Sequence, residues 1–208
     1  MNSNNNQWKE ETLDTFCQFI GGGTPDTRKE EYWEGDCPWL SSSDLELDDY
    51  NNIRITRFIT EEAIANSATK RCPKGAILLV TRVCVGKIAL APEELCTSQD
   101  FTNVVQEKYN NKFILYALYM KIQHLINQTQ GTAIKGITAK EIKKLTLSIP
   151  SGEEQEKIVR ILTAADRELS LLQADLDQER QKKKALMQLL LSGLVRVNVE
   201  GGGADGAV

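Results

Sequence analysis

The sequence of 208 residues predicts an α+β fold, in which a mixed α/β domain is followed by one long α-helix that pairs as a coiled coil. Three observations predict this class. Short apolar runs bounded by glycine or proline recur before residue 150, which is typical of strands. One stretch of the same region has helical spacing of its apolar residues. Beyond residue 151, apolar residues recur at alternating steps of four and three, which indicates a coiled coil.

These patterns divide the sequence into four segments. Residues 1–7 have neither the basic region nor the apolar core of a signal peptide, and we expect a disordered N-terminus there. Residues 8–150 form the predicted domain, and residues 151–192 form the long helix. Residues 193–208 are expected to form a short strand over Leu194–Val199 and a flexible, glycine-rich tail.

Strands and turns of the domain are predicted from apolar runs and their boundaries. Gly75–Val80, Gly86–Leu90 and Leu145–Ile149 are short, rich in Ile, Leu and Val, and bounded by turn formers. The triple glycine at Gly21–Gly23 precedes Thr-Pro rather than a helix, so it does not fit a phosphate-binding loop. We expect a turn that needs positive φ angles there.

Helices are predicted from periodicity and from capping patterns. Phe113–Gln128 has apolar residues at helical spacing. Thr138–Glu141 has the Ser/Thr-x-x-Glu pattern of a capping box, which predicts a short helix before the strand at Leu145. Ser151–Glu154 repeats that pattern directly after Pro150 and marks the start of the long helix.

The long helix carries an apolar seam, interrupted by Glu179 and Lys183. At ~1.5 Å per residue, forty residues make a rod of about 60 Å, too long to bury its seam on its own domain. We therefore predict a partner helix. Two alternatives stay open, namely a helix folded back on its own domain and a hairpin broken near Glu179–Lys184. The predicted interface residues are Ile158, Leu162, Ala165, Leu169, Leu172, Leu176, Leu186 and Leu190.

The charge of the sequence is segregated. Its net value of −4 argues mildly against a nucleic-acid partner, because phosphate contacts need Lys and Arg. Yet Ala63–Pro92 and Lys108–Lys140 each contain five basic residues and no acid, whereas acids gather in Glu30–Glu34, Asp44–Asp49 and Glu93–Glu94. This pattern predicts a basic face on an acidic protein. The alternative is an ordinary solvated surface.

Few residues suggest enzymatic chemistry. His124 is the one histidine, and no cluster of ligands surrounds it in sequence, so we predict no metal site, no cofactor and no catalytic residue. No apolar run reaches the ~20 residues of a membrane span, and we expect no membrane partner. We expect reduced thiols in a cytosolic core for the odd number of cysteines, which are Cys17, Cys37, Cys72, Cys84 and Cys96.

Several short motifs follow one another in a recognisable order. Taken together, they resemble the target-recognition domain and conserved helix of the specificity (S) subunit of type I restriction-modification enzymes, over about residues 8–199. The motifs are Gly21–Pro25, Tyr32–Gly35, Pro38–Trp39, Ser43–Leu45, Lys74–Leu78, Thr81–Arg82, Gly86–Ala89, Ser98–Gln99, Gly131–Thr132 with Ile134, Ile142–Pro150, Glu153–Ile158, Ile161–Leu162 with Asp166, Leu186–Leu191 and Val195–Val197.

The resemblance implies a DNA-reading role. Such a subunit is not catalytic; it reads a bipartite sequence of double-stranded DNA in the cytoplasm and brings methyltransferase (M) and restriction-translocase (R) subunits to it. The usual S subunit has two recognition domains joined by two antiparallel helices, whereas this sequence has one of each. It therefore resembles a half-subunit that pairs with a second copy or another S fragment. Leu194 departs from the family pattern, which often has Lys there.

An antiparallel pair of identical chains predicts an interrupted palindrome as the DNA target. We expect DNA contacts from polar residues at turns, because Ser, Thr and Gln bind phosphates and Arg, Lys and Gln read base edges. Asp26 or Glu34 could accept a hydrogen bond from a cytosine amino group. The candidate DNA-binding residues are Thr24, Tyr32, Ser42, Arg82, Lys87, Gln99, Gln130, Thr132 and Lys135.

Two other functions also fit the sequence. The chain could be a coiled-coil protein-interaction module without DNA specificity. It could also be a metal-dependent nuclease, since Pro25–Asp26 together with Glu141 and Lys143 superficially resembles a Pro-Asp…Glu-x-Lys motif. Helix capping already explains Glu141, which weakens the nuclease hypothesis.

Overall fold

The computed structural model describes residues 8–47, 49–50, 52–128 and 136–197. It divides the chain into a compact unit that ends at Arg160 and a second unit that begins at Ile161. We call the first the recognition unit, after the target-recognition domain that its sequence resembles. The predicted α+β class is confirmed, because sheets and helices build this unit and a long helix follows it.

The strands of the described residues form three sheets. β2, β9, β6 and β7 form an antiparallel sheet in that order, and β1 pairs with β10. β4, β3, β8 and β5 form a mixed sheet, in which β3 and β8 run parallel. The bounds are β1 Lys9–Thr12, β2 Gln18–Gly21, β3 Cys37–Leu40, β4 Phe58–Ile59, β5 Arg71–Cys72, β6 Ile77–Leu79, β7 Ile88–Leu90, β8 Leu95–Thr97, β9 Thr102–Val105 and β10 Thr146–Ile149.

The three predicted strands are β6, β7 and β10, and each is confirmed with a later first residue. Gly75 and Gly86 have φ angles of 81° and 99°, so each belongs to the turn before its strand. β6 lies between two cores: Ile77 and Leu79 belong to one, and Leu78 belongs to the other. Burial on both faces explains why β6 is a continuous apolar run rather than an alternating one.

Side chains that accept hydrogen bonds from backbone amides mark where α2 and α3 begin. The predicted α2 begins earlier than Phe113, because the Asn110 side chain accepts hydrogen bonds from the amides of Lys112 and Phe113 at 3.0 and 3.2 Å. The predicted capping box of α3 is confirmed, with both of its reciprocal bonds formed between Thr138 and Glu141. The bounds are α1 Glu61–Ala65, α2 Asn111–Gln128, α3 Ala139–Lys143 and α4 Gly152–Leu191.

The first turns of α4 belong to the recognition unit. The buried Gln155 side chain donates to the Pro150 carbonyl and accepts from the Asn110 amide, both at 3.0 Å. Ile158 and Val159 then pack against the core that contains α2. These contacts explain why the compact unit continues to Arg160, beyond the sequence boundary predicted at Pro150.

The rest of α4 is a continuous helix with an exposed seam. It runs unbroken to Leu191, so the alternative of a hairpin near Glu179–Lys184 is wrong. Past Ile158 the leucines of the predicted interface are between 37% and 65% exposed. They are Leu162, Leu169, Leu172, Leu176, Leu186 and Leu190.

The helix ends in a left-handed cap rather than leading into a strand. Gly193 has a φ angle of 72°, and the Val195 amide donates to the Leu189 carbonyl at 3.1 Å. The chain turns back on the helix here, and the Val195 amide is no longer free to pair with a neighbouring strand. The predicted strand over Leu194–Val199 is therefore wrong for residues 194–197, and its last two residues lie outside the described ranges.

Candidate nucleic-acid interface

Two of the predicted DNA-binding residues, Arg82 and Gln99, line a cleft of about 490 Å³. Its walls come from segments that are distant in sequence: the end of β2, the turn after β6, the residues around β9, and the start of α3. The lining residues are Gly21, Gly22, Thr81, Arg82, Gln99, Phe101, Thr102, Gly136, Ile137, Thr138 and Ala139.

The triple glycine allows the chain to pass close to the residues around Ser98. A Cβ atom on Gly22 would collide with the Ser98 carbonyl oxygen, and one on Gly23 would collide with the backbone of Thr69. Neither glycine has a positive φ angle, so the expectation of a positive-φ turn is wrong. Glycine is needed there because the backbones approach closely.

This close approach places Thr24 beside Gln99. The Gly23 amide donates to the Thr97 carbonyl at 2.8 Å, and the Gly23 carbonyl accepts from the buried Trp39 indole at 2.9 Å. The exposed Thr24 hydroxyl then donates to the Gln99 side-chain oxygen. A hydroxyl and an amide are thus held together at the protein surface.

Thr81 anchors the turn that carries Arg82. Its amide donates to the Asp100 carbonyl, and its own carbonyl accepts from the Ile137 amide, both at 2.8 Å. Its hydroxyl lies 3.2 Å from that of Thr102. The neighbouring Arg82 side chain is exposed, and within the described ranges it has neither an ion-pair partner nor a hydrogen bond. Its guanidinium is available to a ligand.

Lys87 and Ser42 lie together outside the lining of this cleft. The Lys87 ammonium donates to the carbonyls of Ser42 and Leu45, at 3.0 and 2.6 Å. Ser42 is 8% exposed, in a turn that the Arg57–Asp44 ion pair also stabilises. Both predicted residues therefore hold this turn against β7, and any contact with DNA stays a prediction for them.

Tyr32, which we predicted as a DNA-binding turn residue, is buried. It lies in a short 3-10 helix and is 3% exposed. Its ring belongs to a core that includes Trp39 and Ile59, and its hydroxyl is 3.0 Å from the Lys29 ammonium. Packing against the mixed sheet accounts for this aromatic residue, so we leave it out of the candidate surface.

The remaining candidates, Gln130, Thr132 and Lys135, lie outside the described residues. The described chain resumes at Gly136, on the wall of the cleft, where an added Cβ would be 2.6 Å from the Thr81 carbonyl oxygen. Thr138, which also lines the cleft, was missed because its capping pattern already explained it.

Acidic side chains line a separate cleft of about 510 Å³ around Arg71. Arg71 pairs with Glu61, and also with Glu94 at 2.5 Å. Glu34 lines the same cleft, and Asp26 is held by Arg28, whose hydrogen bond lowers the pKa of that carboxyl to about 2. Neither acid lines the cleft that contains Arg82, so a cytosine contact by either stays a prediction.

The nuclease hypothesis gains no support from Glu141. Its carboxylate accepts hydrogen bonds from the Thr138 amide and hydroxyl, both at 2.7 Å, and the bond from the hydroxyl is the main cause of its lowered pKa. Within the described ranges, no three His, Cys, Asp or Glu side chains are grouped to hold a metal ion. The described helices include none that is apolar and long enough to span a membrane.

Three thiols are buried, Cys17 is half-buried and Cys84 is exposed. Cys37 and Cys96 are buried with their sulfur atoms 3.7 Å apart, and burial raises the pKa of both Cys17 and Cys72 to about 12. Cys84 differs from the expected core position. It is exposed in the turn between β6 and β7 and has a φ angle of 58°.

Most of the chain matches a known protein family. Residues 5–179 match the family described as type I restriction modification DNA specificity domain. The chain is also 30% identical over 185 residues to the type I restriction enzyme MjaIX specificity subunit of Methanocaldococcus jannaschii. It is 29% identical over 188 residues to the EcoR124I/EcoR124II specificity subunit of Escherichia coli.

These alignments cover 87% and 85% of this chain but 41% and 46% of the relatives, so the chain spans less than half of their length. Solved structures share the fold. The HsdS subunit from Thermoanaerobacter tengcongensis superposes with a TM-score of 0.63 and 18% identity, over 92% of this chain and 45% of that one. A chain from a structural study of type I R-M system assembly gives 0.66 and 21%, over 89% and 45%.

Proposed function

This chain belongs to the type I restriction-modification DNA specificity family, and from that membership we propose that it reads one half of a bipartite DNA sequence. In this proposal the chain recruits M and R subunits in the cytoplasm and catalyses no reaction itself. The recognition unit supplies the DNA-reading surface, and α4 supplies the pairing surface.

The cleft that contains Arg82 carries the DNA-reading part of the proposal. Arg82 is exposed and without a partner among the described residues, and Thr24 and Gln99 are held beside each other. Guanidinium, amide and hydroxyl groups are those that bind phosphates and base edges. The five carboxylates of the Arg71 cleft line none of this surface, so they do not interrupt it.

The exposed seam supports pairing with a second copy. Six seam leucines are exposed beyond Ile158, and a partner helix with the same seam would cover them. The heptad spacing is symmetric when Ile158 of one chain lies level with Leu190 of an antiparallel partner. In this register Leu162 is level with Leu186, and Leu172 is level with Leu176.

Charges beside the seam favour the antiparallel orientation. Asp166 and Arg180 flank the seam on one side, and Glu168 and Lys182 flank it on the other. In the register given above, Asp166 of one chain lies within two residues of the level of Arg180 of the partner, on the same side of the seam. Glu168 and Lys182 are related in the same way on the other side. A parallel pair would instead place the basic segment Arg180–Lys184 of one chain against its own copy.

Two-fold symmetry then determines the form of the target. Identical recognition units related by a two-fold axis read inverted copies of the same half-site. We therefore propose an interrupted palindrome. M subunits, an R subunit and, in place of the second copy, another S fragment are the partners that family membership implies.

Selection from random double-stranded DNA tests this function. We expect the full chain, alone or with the M subunits of its system, to enrich one sequence. Arg82→Ala should lower affinity about tenfold and reduce the salt slope by about one if Arg82 contacts a phosphate. Arg28→Ala is the matched control, because Arg28 is exposed and already paired with Asp26. Failure to enrich any sequence in either condition would contradict the proposal.

A second candidate function is a coiled-coil interaction module without DNA specificity, which the exposed seam alone would also suit. The same selection separates the two, because such a module would pair normally and enrich no sequence.

A further inference from the structure

The turn between β6 and β7 presents an apolar side chain next to Arg82. Val83 is 57% exposed at the tip of this turn, between the exposed Arg82 and Cys84. The flanking strands are buried, so the tip is a small exposed site on a covered sheet. Val83 has no part in the function proposed for Arg82 and Gln99.

Both ends of this turn are fixed. The Val80 amide donates to the Lys87 carbonyl at 2.9 Å, and the Gly86 amide donates to the Val80 carbonyl at 3.1 Å. Gly86 also lies against α2, where an added Cβ would be 2.7 Å from the Ile126 side chain. Thr81 is held by its hydrogen bonds to Asp100 and Ile137. The tip is therefore exposed but positioned.

The backbone at the tip also has a restricted conformation. Cys84 has a φ angle of 58°, in the left-handed region that few residues other than glycine adopt. Such conformations persist where the surrounding structure determines them, and they are common at ligand-binding sites. Here the fixed ends of the turn provide that determination. Val83 is thus presented in a defined position rather than on a freely moving loop.

The chemistry of Val83 restricts what it can read. The side chains of Arg82 and Gln99 can form hydrogen bonds with DNA, but an isopropyl group can only contribute an apolar contact. In the major groove, the base edges offer one apolar group, the C5-methyl of thymine. We infer that Val83 is a specificity-determining residue that contacts a thymine methyl group next to the site of Arg82. This inference rests on the proposed DNA-reading function.

The charge of the turn itself favours this approach. No acidic residue occurs between Ala63 and Pro92, the segment that contains the whole turn. The described residues give Arg82 no carboxylate partner, so its charge can draw a phosphate backbone toward the tip. Arg82 would then supply affinity, while Val83 supplies discrimination between thymine and bases that lack the methyl group.

A methyl-deletion experiment tests the inference. In the sequence enriched by the full chain, each thymine is replaced singly by uracil, which lacks only the C5-methyl group. At one thymine of each half-site we expect a loss of about fourfold, which corresponds to roughly 0.8 kcal/mol per buried methyl-sized group. For Val83→Ala, the same replacement should change affinity less than twofold, because the protein partner of the methyl group is gone.

Leu47→Ala is the matched control variant, because Leu47 is also 57% exposed but lies in an acidic loop. It should keep the wild-type response to uracil. Val83→Ala should unfold close to the wild-type temperature, since Val83 is 57% exposed and lies outside the core.

The outcomes separate this inference from the function on which it rests. An enriched sequence with no thymine, or one whose uracil responses are unchanged by Val83→Ala, would overturn the inference and leave DNA reading intact. If Val83→Ala instead weakens assembly with M subunits and spares DNA preference, the tip is a protein contact, which also overturns it. The absence of any enriched sequence would overturn the proposed function itself.

Discussion

The recognition unit and the long helix use leucine in opposite ways. In the recognition unit, Leu40, Leu78 and Leu118 have no exposed surface, because sheets and α2 enclose them. Along α4, Leu169 and Leu172 are 65% and 58% exposed. The first set of side chains stabilises a fold within one chain. The second set has the spacing of a seam and is exposed, so it is suited to bind a partner helix.

This comparison also separates two kinds of sequence signal. The helix seam is periodic, and the partner helix proposed for it has the same period. The recognition unit is built from short strands whose neighbours are distant in sequence, as in the parallel pairing of β3 with β8. A mutation should therefore affect association in the helix and folding stability in the recognition unit.

The largest effect is expected from charges in the seam. Leu169→Glu combined with Leu172→Glu should weaken pairing at least a thousandfold, about 4 kcal/mol. In the register given above, the carboxylate at position 169 would lie level with Glu179 of the partner, and the one at position 172 would lie level with Leu176. Light scattering across a concentration series measures this. Leu171→Glu is the control, since Leu171 is exposed but off the seam. Equal weakening by the control would contradict the seam assignment.

The close packing of Gly22 should give the next largest effect, and it should appear in the recognition unit. Gly22→Ala is expected to lower the free energy of unfolding by about 3 kcal/mol, because the methyl group meets the rigid Ser98 carbonyl. Gly21→Ala is the control, since no atom lies within 4 Å of its added Cβ. Urea unfolding measures both, and similar midpoints for the two variants would refute the packing argument.

A charge exchange can sharpen the orientation of the pair. Arg180→Glu with Lys182→Glu should weaken pairing about tenfold, because both flanks of the antiparallel seam would carry like charges. Adding Asp166→Arg and Glu168→Lys should restore most of the affinity. A parallel pair would show no such rescue. Sedimentation equilibrium at low salt gives the dissociation constants, and the difference should shrink as salt is raised.

Lys87 offers a smaller test within the recognition unit. Lys87→Met should lower the free energy of unfolding by about 1.5 kcal/mol, because the carbonyls of Ser42 and Leu45 lose a charged donor. Lys74→Met should have almost no effect, as Lys74 is exposed and makes no ion pair within the described ranges. If Lys87→Met leaves thermal stability unchanged, Lys87 is not the residue that holds this turn.

The smallest expected effect concerns pH. A hydrogen bond from Lys108, joined by one from Tyr109, lowers the pKa of Glu11 below its usual 4.5. The stabilisation is therefore present above that value and is lost as pH falls through the lowered pKa. Glu11→Gln should lower the free energy of unfolding at pH 7 by about 0.5–1 kcal/mol. On acidification, the free energy of unfolding should fall less for this variant than for the wild type. Thermal unfolding at pH 7 and pH 3 measures it; parallel curves would contradict the assignment.

Local patterns predicted much of the fold, because their physical cause is local. The capping box at Thr138, the α2 periodicity and the continuous α4 each depend on neighbours a few residues apart. The unformed strand at Leu194 shows the limit of such signals. Alternation makes a strand possible, but a strand also needs a partner with free backbone groups.

The candidate site was less predictable, because its geometry depends on contacts between distant segments. Arg82 and Gln99 were found from residue type and resemblance, and the structure places both on one cleft. The burial of Tyr32 and the engagement of Lys87 by Leu45 come from long-range packing, which composition does not reveal. The need for glycine at Gly22 likewise arises from Ser98, far along the chain.

The arrangement of the selected DNA tests the central claim most directly. That claim is that two copies of this chain, each with one recognition unit and one pairing helix, act as the two halves of one DNA-reading assembly. Sequencing of DNA enriched by the full chain should give inverted copies of one half-site at a fixed separation. The Leu169→Glu, Leu172→Glu variant should lose that fixed separation. A single undivided sequence, or two unrelated halves, would contradict the account.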